Sequence, residues 1–164
     1  MASFLTIQPL VPGDKFPSIP GKLLSGQKIS LPHDVQGKVS ILVIYFYQEA
    51  HRQVQEWSNL LMKKYGKRND LICIEMLMVR DYAYLYSFIL DRKLKRLVPR
   101  KRHENVVMYY GKLEKYYYYF NVDNLTDCYV FVLDKTGNVK LAKCGEMTLE
   151  KMGHIHEKIE ELSV

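Results

Sequence analysis

Apolar residues along this chain form two long runs, and each run is followed by a stretch in which they recur at helical spacing. The runs, residues 39–47 and 71–79, are rich in β-branched and aromatic side chains, which is typical of strands buried on both faces of a parallel sheet. The following stretches span about 49–65 and 81–97. Because parallel neighbours need a crossover connection, this pattern predicts two strand–helix units.

Each of these predicted helices has recognisable ends and an apolar face. Gly66 ends the first helix, in which the residues near helical spacing are Val54, Trp57, Leu60, Leu61 and Lys64. Asp81 can cap the second helix, and Pro99 closes it. The second helix brings four apolar residues to one face, namely Tyr84, Leu85, Phe88 and Ile89.

The rest of the chain predicts a short strand, a short helix, a hairpin and a last helix. The strand is "NVVMYYG", and the helix is "KLEKYYYYFNV", where four tyrosines cover every side. Two apolar runs flank residues 134–137, a tight-turn sequence that predicts an antiparallel hairpin. Thr148 caps the final helix, whose apolar stripe is Leu149, Met152, Ile155, Ile159 and Leu162.

The first 35 residues are rich in turn formers and predict an extended lead-in with one short strand at "QKISLP". Parallel units followed by a hairpin and a helix predict an α/β fold with a mixed central sheet. A hydrophobic content of 48% in 164 residues is enough for one core. We therefore expect a single domain, residues 1–164, with residues 1–35 as an N-terminal extension.

The net charge of +6 is concentrated in one stretch. Residues 92–102, "RKLKRLVPRKR", include seven basic residues and no acidic one. This stretch is either a solvated helix end and loop or a patch that binds phosphate or lipid headgroups, and its charge does not separate lipid from nucleic acid. The candidate binding residues within it are Arg96, Arg100, Lys101 and Arg102.

Cysteine and histidine spacing favours neither a disulfide scaffold nor a metal site. Cys73, Cys128 and Cys144 form no CxxC motif, which fits a reducing compartment. His154 and His156 lie two positions apart, on different faces of a helix. We expect neither a metal nor a cofactor.

No apolar run approaches the roughly 20 residues that span a bilayer. The N-terminus lacks a presequence pattern, so we expect a protein that acts where it is made, or a processed form.

The stretch "PGDKFPSIPGKLLSGQKISLPHDVQGKVSILVIYFY" resembles the start of the peroxiredoxin and thiol-reductase branch of thioredoxin-like proteins. The resemblance implies a thioredoxin-like three-layer sandwich. When residues 46–47 are matched to the aromatic pair that ends the first core strand, His51 and Val54 occupy the two redox cysteine positions. Residues 127–128 stand where such enzymes have a cis proline. Since redox chemistry needs a thiolate, the resemblance implies that the redox pair is lost.

A one-cysteine thiol enzyme is the first alternative. In such proteins the segment before the hairpin packs against the start of the first helix, which would bring Cys128 near His51 and Glu49. These three residues are a candidate Cys/His/carboxylate cluster. Cys144 is a second candidate thiol for a peroxidase or oxidoreductase. Cys73 lies within an apolar strand and is expected in the core.

A closer resemblance covers residues 16–162: the chain is similar to the ATP synthase assembly factor ten family, thioredoxin-like proteins without the redox pair. The matching pieces are "FPSIPGKLLSGQKISLP", the junction ending in "VQEW", the basic stretch before "YYG", "YVFVLDKTGNV" and "AKCG". The resemblance implies matches for Trp57, Tyr129, Asp134 and Gly145. It also implies a chaperone of the mitochondrial inner membrane that helps the membrane-embedded channel subunit of the ATP synthase assemble with its rotor ring.

The leading hypothesis is therefore a non-enzymatic chaperone or assembly factor that binds an extended client beside the former active site. Candidate contacts are Tyr47, Trp57, Tyr129 and residues 116–119, although Trp57 also suits the core. The implied partners are a membrane-embedded ATP synthase subunit and an anionic membrane surface, at the mitochondrial inner membrane if the resemblance holds and otherwise in the cytoplasm. A nucleic-acid-binding module using residues 92–102 is the second alternative, but the paired aromatic motifs of RNA modules are missing.

Overall fold

The computed structural model describes residues 8–163, without the side chains of residues 82 and 83. Within this part of the chain the strands are β1 (Ile19–Leu23), β2 (Lys28–Leu31), β3 (Val39–Tyr45), β4 (Leu71–Arg80), β5 (Val106–Gly111), β6 (Tyr129–Leu133) and β7 (Val139–Cys144). The α-helices are α1 (His51–Tyr65), α2 (Ser87–Leu97), α3 (Glu114–Tyr119) and α4 (Leu149–Leu162). In residues 8–163, no helix combines the length and the apolar character needed to cross a bilayer.

The strands form one mixed sheet in the order β2-β1-β5-β4-β3-β6-β7. The central strands β3, β4 and β5 are parallel, and β6 runs antiparallel to β3. The hairpin of β6 and β7 extends the sheet at one edge, and β1 pairs antiparallel with β5 on the other side. All seven residues of β3 are buried. The predicted α/β fold with a mixed central sheet is therefore confirmed.

The two faces of the sheet carry separate cores, as alternation along β3 shows. Ile41, Val43 and Tyr45 point to one face, which α1, α2 and α4 cover with residues such as Trp57, Leu94 and Ile155. The residues between them, Leu42 and Ile44, point to the opposite face, where the lead-in and α3 contribute Phe16, Tyr116 and Phe120. Because successive strand side chains alternate in direction, this arrangement produces three layers.

The lead-in contains two strands instead of the one that the sequence predicted. β1 and β2 form an antiparallel hairpin, and β1 continues into the sheet by pairing Leu23 with Val107 of β5. The sequence pattern did not predict β1, because it contains Pro20 and Gly21 and both residue types are rare inside strands. Gly21 has a packing reason here, since a Cβ at this position would collide with the Val107 side chain.

The predicted helix from Asp81 to Leu97 is divided in the structure. Residues Asp81–Tyr86 form a 3₁₀ helix, and α2 begins only at Ser87. The apolar face that the sequence predicted is exposed, whereas Leu94 and Val98 supply the buried contacts. Helical periodicity thus grouped the four apolar side chains on one face correctly. The face of α2 that packs against the core is a different one, which includes Leu94.

The final helix agrees with its prediction except at its first residue. The Thr148 Oγ1 accepts a hydrogen bond from the backbone N–H of Lys151 at 3.1 Å, which confirms the predicted cap. Met152, Ile155 and Ile159 are buried. Leu149, which the predicted stripe included, is exposed.

Candidate functional site

The candidate site lies where β3 ends and α1 begins, at the edge formed by the carboxyl ends of the parallel strands. After Tyr45 the chain passes through a 3₁₀ helix, Gln48–Ala50, and enters α1 at His51. Residues 51–54, the His-Arg-Gln-Val motif, therefore form the first turn of α1, as the sequence predicted. Crevices at this edge of an open α/β sheet are the usual place for ligands.

Gln53 connects this first turn to the segment that precedes β6. Its Nε2 donates to Asp127 Oδ1 at 2.8 Å, and its Oε1 accepts from the backbone N–H of Cys128 at 3.0 Å. The segment around residue 128 therefore packs against the start of α1, as expected. Sequence reasoning did not single out Gln53, because its partners lie more than 70 residues away.

Cys128 sits in an environment that keeps its thiol protonated. The side chain is fully buried, and its Sγ donates to the carbonyl oxygen of Gly145 at 3.5 Å. Burial raises the pKa of Cys128 to about 12, and the nearby Asp127 carboxylate acts in the same direction. A reactive cysteine needs the opposite shift, because the thiolate is the nucleophile. Burial also raises the pKa of Cys73 to about 12, whereas Cys144 is exposed.

His51 makes its contacts with Gln55 and Tyr45. Its Nε2 lies 3.2 Å from Gln55 Nε2, and its ring lies 6.3 Å from the ring of Tyr45. Burial lowers the pKa of His51, and the positive charges of Arg102 and Lys93 lower it further. The imidazole is therefore mainly neutral at neutral pH, and its Nε2 accepts a hydrogen bond from the Gln55 amide N–H. Among the described residues, no hydrogen bond joins His51, Glu49 and Cys128.

An apolar pocket of about 160 Å³ opens at the end of β3, beside His51. Its walls come from the ends of β3 and β4, from the residues between β3 and α1, from the start of α1 and from α2. They are Tyr45, Phe46, Tyr47, Gln48, His51, Leu77, Val79, Leu90, Lys93, Leu94 and Leu97. A cavity of about 150 Å³ with apolar walls can hold a benzene molecule. The pocket is therefore large enough for one apolar side chain of a partner.

The predicted contact residues divide into exposed and buried groups. Tyr47 is 45% exposed at the rim of the pocket. Trp57 is fully buried, and its Nε1 donates to the Gly145 carbonyl oxygen at 3.0 Å. Tyr129 is buried too, and its hydroxyl donates to the Asn124 carbonyl oxygen at 2.8 Å. Trp57 and Tyr129 therefore stabilise the fold here and offer little surface to a partner.

The basic stretch divides in the same way. Arg96, Arg100 and Lys101 are exposed, but Arg102 is buried and forms an ion pair with Glu75 of β4. Buried charges are normally paired, so Arg102 is fixed inside the protein and cannot contribute to a surface patch. Sequence reasoning did not single out Glu75, although one carboxylate inside the apolar run "LICIEMLMV" was the available signal.

No described group of three or more His, Cys, Asp or Glu side chains could hold a metal ion. His154 and His156 instead contact side chains on two other elements. The His154 Nδ1 lies 2.9 Å from Lys143 Nζ, and His156 Nδ1 lies 2.6 Å from the hydroxyl of Tyr65. The two imidazoles therefore face different neighbours, as their spacing in the sequence predicted.

Solved structures of similar fold include several thiol-disulfide proteins. The thioredoxin domain of a thiol-disulfide oxidoreductase from Bacteroides vulgatus is 19% identical, with a TM-score of 0.60, and the match covers 91% of this chain and 97% of that one. A peroxiredoxin-like protein from Aquifex aeolicus is 11% identical, with a TM-score of 0.57 and coverage of 95% and 90%. These matches show the thioredoxin-like fold.

BsSco, a member of the Sco family of cytochrome c oxidase assembly proteins, has the same fold at 11% identity. Its TM-score is 0.64, and the match covers 94% of this chain and 96% of that one. A comparison with curated proteins found no match. The family model described as ATP10 protein matches residues 13–162. The chain therefore belongs to the ATP10 protein family, with a thioredoxin-like fold.

Proposed function

We propose that this protein is a non-enzymatic assembly factor that holds an extended segment of a membrane-embedded ATP synthase subunit. Membership of the ATP10 protein family supports an assembly-factor role. The client would lie across the end of β3 and the first turn of α1, with one apolar side chain in the pocket beside Tyr47. Binding would thus replace the thiol chemistry that related folds perform at this edge.

The observation that carries this proposal is the apolar pocket of about 160 Å³ next to His51. By the resemblance, His51 and Val54 occupy the positions where redox relatives have cysteines, and Val54 is buried in the core. A partly exposed aromatic residue at a pocket rim suits recognition of a peptide, because it offers a large contact area with little loss of side-chain entropy. Tyr47 occupies this position.

The thiols support binding over catalysis. Cys128 is linked to the first turn of α1 through the hydrogen bond between its backbone N–H and Gln53. Its side chain has no exposed surface, and its pKa is raised. A thiolate-dependent enzyme would instead need an accessible sulfur in electropositive surroundings. Cys144 is exposed, but its region of the chain lies at the end of β7 and does not line the pocket.

The proposal includes an anionic membrane as the second partner. Six of the seven basic residues in 92–102 are exposed, and Arg102 is the exception. A membrane-embedded client requires its assembly factor to work at the bilayer surface, and exposed Lys and Arg clusters are attracted to acidic lipids. The family resemblance makes the mitochondrial inner membrane the proposed location.

A photocrosslinking experiment in the native host tests the client. A photoreactive phenylalanine analogue replaces Tyr47, and crosslinked partners are identified by mass spectrometry. We expect a membrane-embedded ATP synthase subunit, and we expect Val79→Phe, which would fill the pocket, to abolish this crosslink without lowering the melting temperature. The same analogue at Leu149, which is exposed elsewhere on the surface, is the matched control.

Equal capture of this subunit from positions 47 and 149 would overturn the assigned binding site. Capture of other proteins from position 47, with no ATP synthase subunit among them, would overturn the assigned client.

A further inference from the structure

Exposed apolar side chains are concentrated in one short segment of the surface. Among the described residues, ten large apolar side chains are markedly exposed, and six of them lie within residues 84–97. These six are Tyr84, Leu85, Tyr86, Phe88, Ile89 and Leu97. Leu85 is 78% exposed and Phe88 is 64% exposed. Contiguous apolar exposure of this kind marks an interaction surface, because scattered single residues would need no explanation.

Contacts on its inner side hold the segment that carries these side chains in place. Leu94 and Val98 anchor the segment, because both side chains are buried in the core. A hydrogen bond from β5 anchors it as well: the hydroxyl of Tyr110 donates to Asp91 Oδ1 at 3.1 Å. The outward side chains are therefore presented on a backbone that other contacts hold in place.

Basic side chains are interleaved with the apolar ones on the same face of α2. Phe88, Arg92 and Arg96 follow one another at intervals of four, and so do Ile89, Lys93 and Leu97. Residues four apart lie on one side of a helix. These six residues line one shallow groove of about 310 Å³. The outer face of α2 is thus a mixed apolar and cationic surface.

This chemistry fits an anionic bilayer better than a protein groove. Lys95, Arg100 and Lys101 add exposed positive charge in the same stretch of the chain, and the Asp91 carboxylate is engaged by Tyr110. Helices that lie in a membrane interface combine an apolar face with Lys and Arg, and tyrosine is enriched at the headgroup level. The long stems of Lys and Arg let their charges reach the headgroups while apolar neighbours lie deeper.

The exposed side chains of residues 84–97 form what we call the 84–97 surface. We propose that the apolar side chains of this surface insert into the interfacial layer of an anionic bilayer. This inference rests on the proposed attachment to an anionic membrane and names the structural element that enters it. Lys93 and Leu97 line both this groove and the apolar pocket beside His51. Insertion would therefore set the mouth of the pocket at the bilayer boundary, where a segment of a membrane-embedded client is accessible.

Vesicle sedimentation at two salt concentrations separates insertion from attraction by charge alone. The full chain is mixed with vesicles of phosphatidylcholine and phosphatidylglycerol at low salt and at about 1 M salt, where the Debye length falls to about 3 Å. We expect the wild-type protein to stay partly bound at high salt. A triple variant, Leu85→Ser, Phe88→Ser and Ile89→Ser, should lower this salt-resistant partitioning by about tenfold or more.

The control changes two exposed apolar residues elsewhere: Val11→Ser and Leu149→Ser. It should bind vesicles like the wild-type protein.

A fluorescence reporter adds a second measurement, because the natural tryptophan, Trp57, is buried and gives a constant background. In Tyr86→Trp, the new tryptophan emission should shift to shorter wavelength on vesicle binding and be quenched by brominated acyl chains.

Complete release of the wild-type protein at high salt would overturn insertion, while attachment by charge would stand. Failure to bind vesicles at low salt would overturn both, and the crosslink at Tyr47 would still test the client independently. A wild-type dimer that the triple variant converts to monomer, without vesicle binding, would identify the 84–97 surface as a self-association site and overturn the proposal. Tight binding to RNA in place of vesicles would overturn it as well.

Discussion

The indole Nε1 of Trp57 donates a hydrogen bond to the carbonyl oxygen of Gly145 at 3.0 Å. This bond joins α1 to the turn that links β7 with α4. Gly145 is bonded to the start of β6 as well, since its backbone N–H donates to the Cys128 carbonyl oxygen at 2.9 Å. The tryptophan and the glycine that the resemblance matches thus form one contact, which links α1 to the turn after β7.

Trp57→Ala should therefore destabilise the whole fold. Loss of a fully buried aromatic side chain costs about 3 to 5 kcal/mol, because the cavity that remains cannot close completely. Trp57→Phe keeps most of the apolar volume but removes the hydrogen bond, so its cost should be smaller. Urea denaturation followed by circular dichroism measures both free energies of unfolding. An unchanged midpoint in Trp57→Ala, together with lost client binding, would move this residue from the core to the interface.

The buried ion pair between Glu75 and Arg102 predicts a strong asymmetry between single and double substitutions. Glu75→Ala leaves the Arg102 guanidinium buried without its partner, which should cost about 3 to 5 kcal/mol. The double variant Glu75→Leu and Arg102→Met removes both charges and should recover much of this loss. Arg100→Ala, at an exposed arginine of the same stretch, is the control and should be nearly neutral. Comparable denaturation midpoints for Glu75→Ala and Arg100→Ala would contradict a structural role for the pair.

The thiols predict a protein without disulfide reductase or peroxidase activity. At about pH 8, Cys144 should react at once with a thiol reagent because it is exposed, whereas Cys128 should react only after unfolding. The raised pKa of Cys128, about 12, keeps its sulfur protonated at this pH. Labelling followed by mass spectrometry identifies the modified cysteine, and insulin reduction and peroxide consumption measure turnover. Turnover that disappears in Cys128→Ser would favour the one-cysteine enzyme instead.

The sequence was sufficient for the central elements because their signals are local. β3 and β4 are apolar along most of their length, and the Thr148 cap stands directly before an amphipathic stretch. β1 was missed because Gly21 and Pro20 weaken the strand signal, although close approach to Val107 makes the glycine necessary. Propensity describes a residue in isolation, whereas this glycine is determined by a neighbouring strand.

The candidate site was less predictable, because its contacts join distant parts of the chain. The position of His51 at the start of α1 followed from the resemblance, but the Gln53 bridge and the α2 wall of the pocket depend on how the elements pack together. The 84–97 surface shows a second limit. Periodicity places Phe88 and Ile89 on one face, but it cannot tell whether that face meets the core or a partner.

His51 predicts a specific pH dependence of stability. Its pKa in the folded protein lies below the ordinary value of 6.5, chiefly because of burial and then because of the charges on Arg102 and Lys93. Below about pH 6.5 the unfolded chain therefore binds more protons at this residue than the folded chain does, and the free energy of unfolding falls as the pH falls. Above that pH both states are neutral at residue 51 and no such loss occurs.

The measurement compares urea denaturation of the wild-type protein and His51→Gln from about pH 8 to about pH 5, a range that spans the ordinary histidine pKa. The variant should lose less stability than the wild-type protein on acidification, since its residue 51 cannot bind a proton. His33→Gln, at an exposed histidine, is the control and should follow the wild-type curve. If the wild-type protein and His51→Gln lose the same free energy between the two ends of the range, His51 does not carry the lowered pKa. In that case the neutral imidazole assigned to the pocket rim would also be wrong.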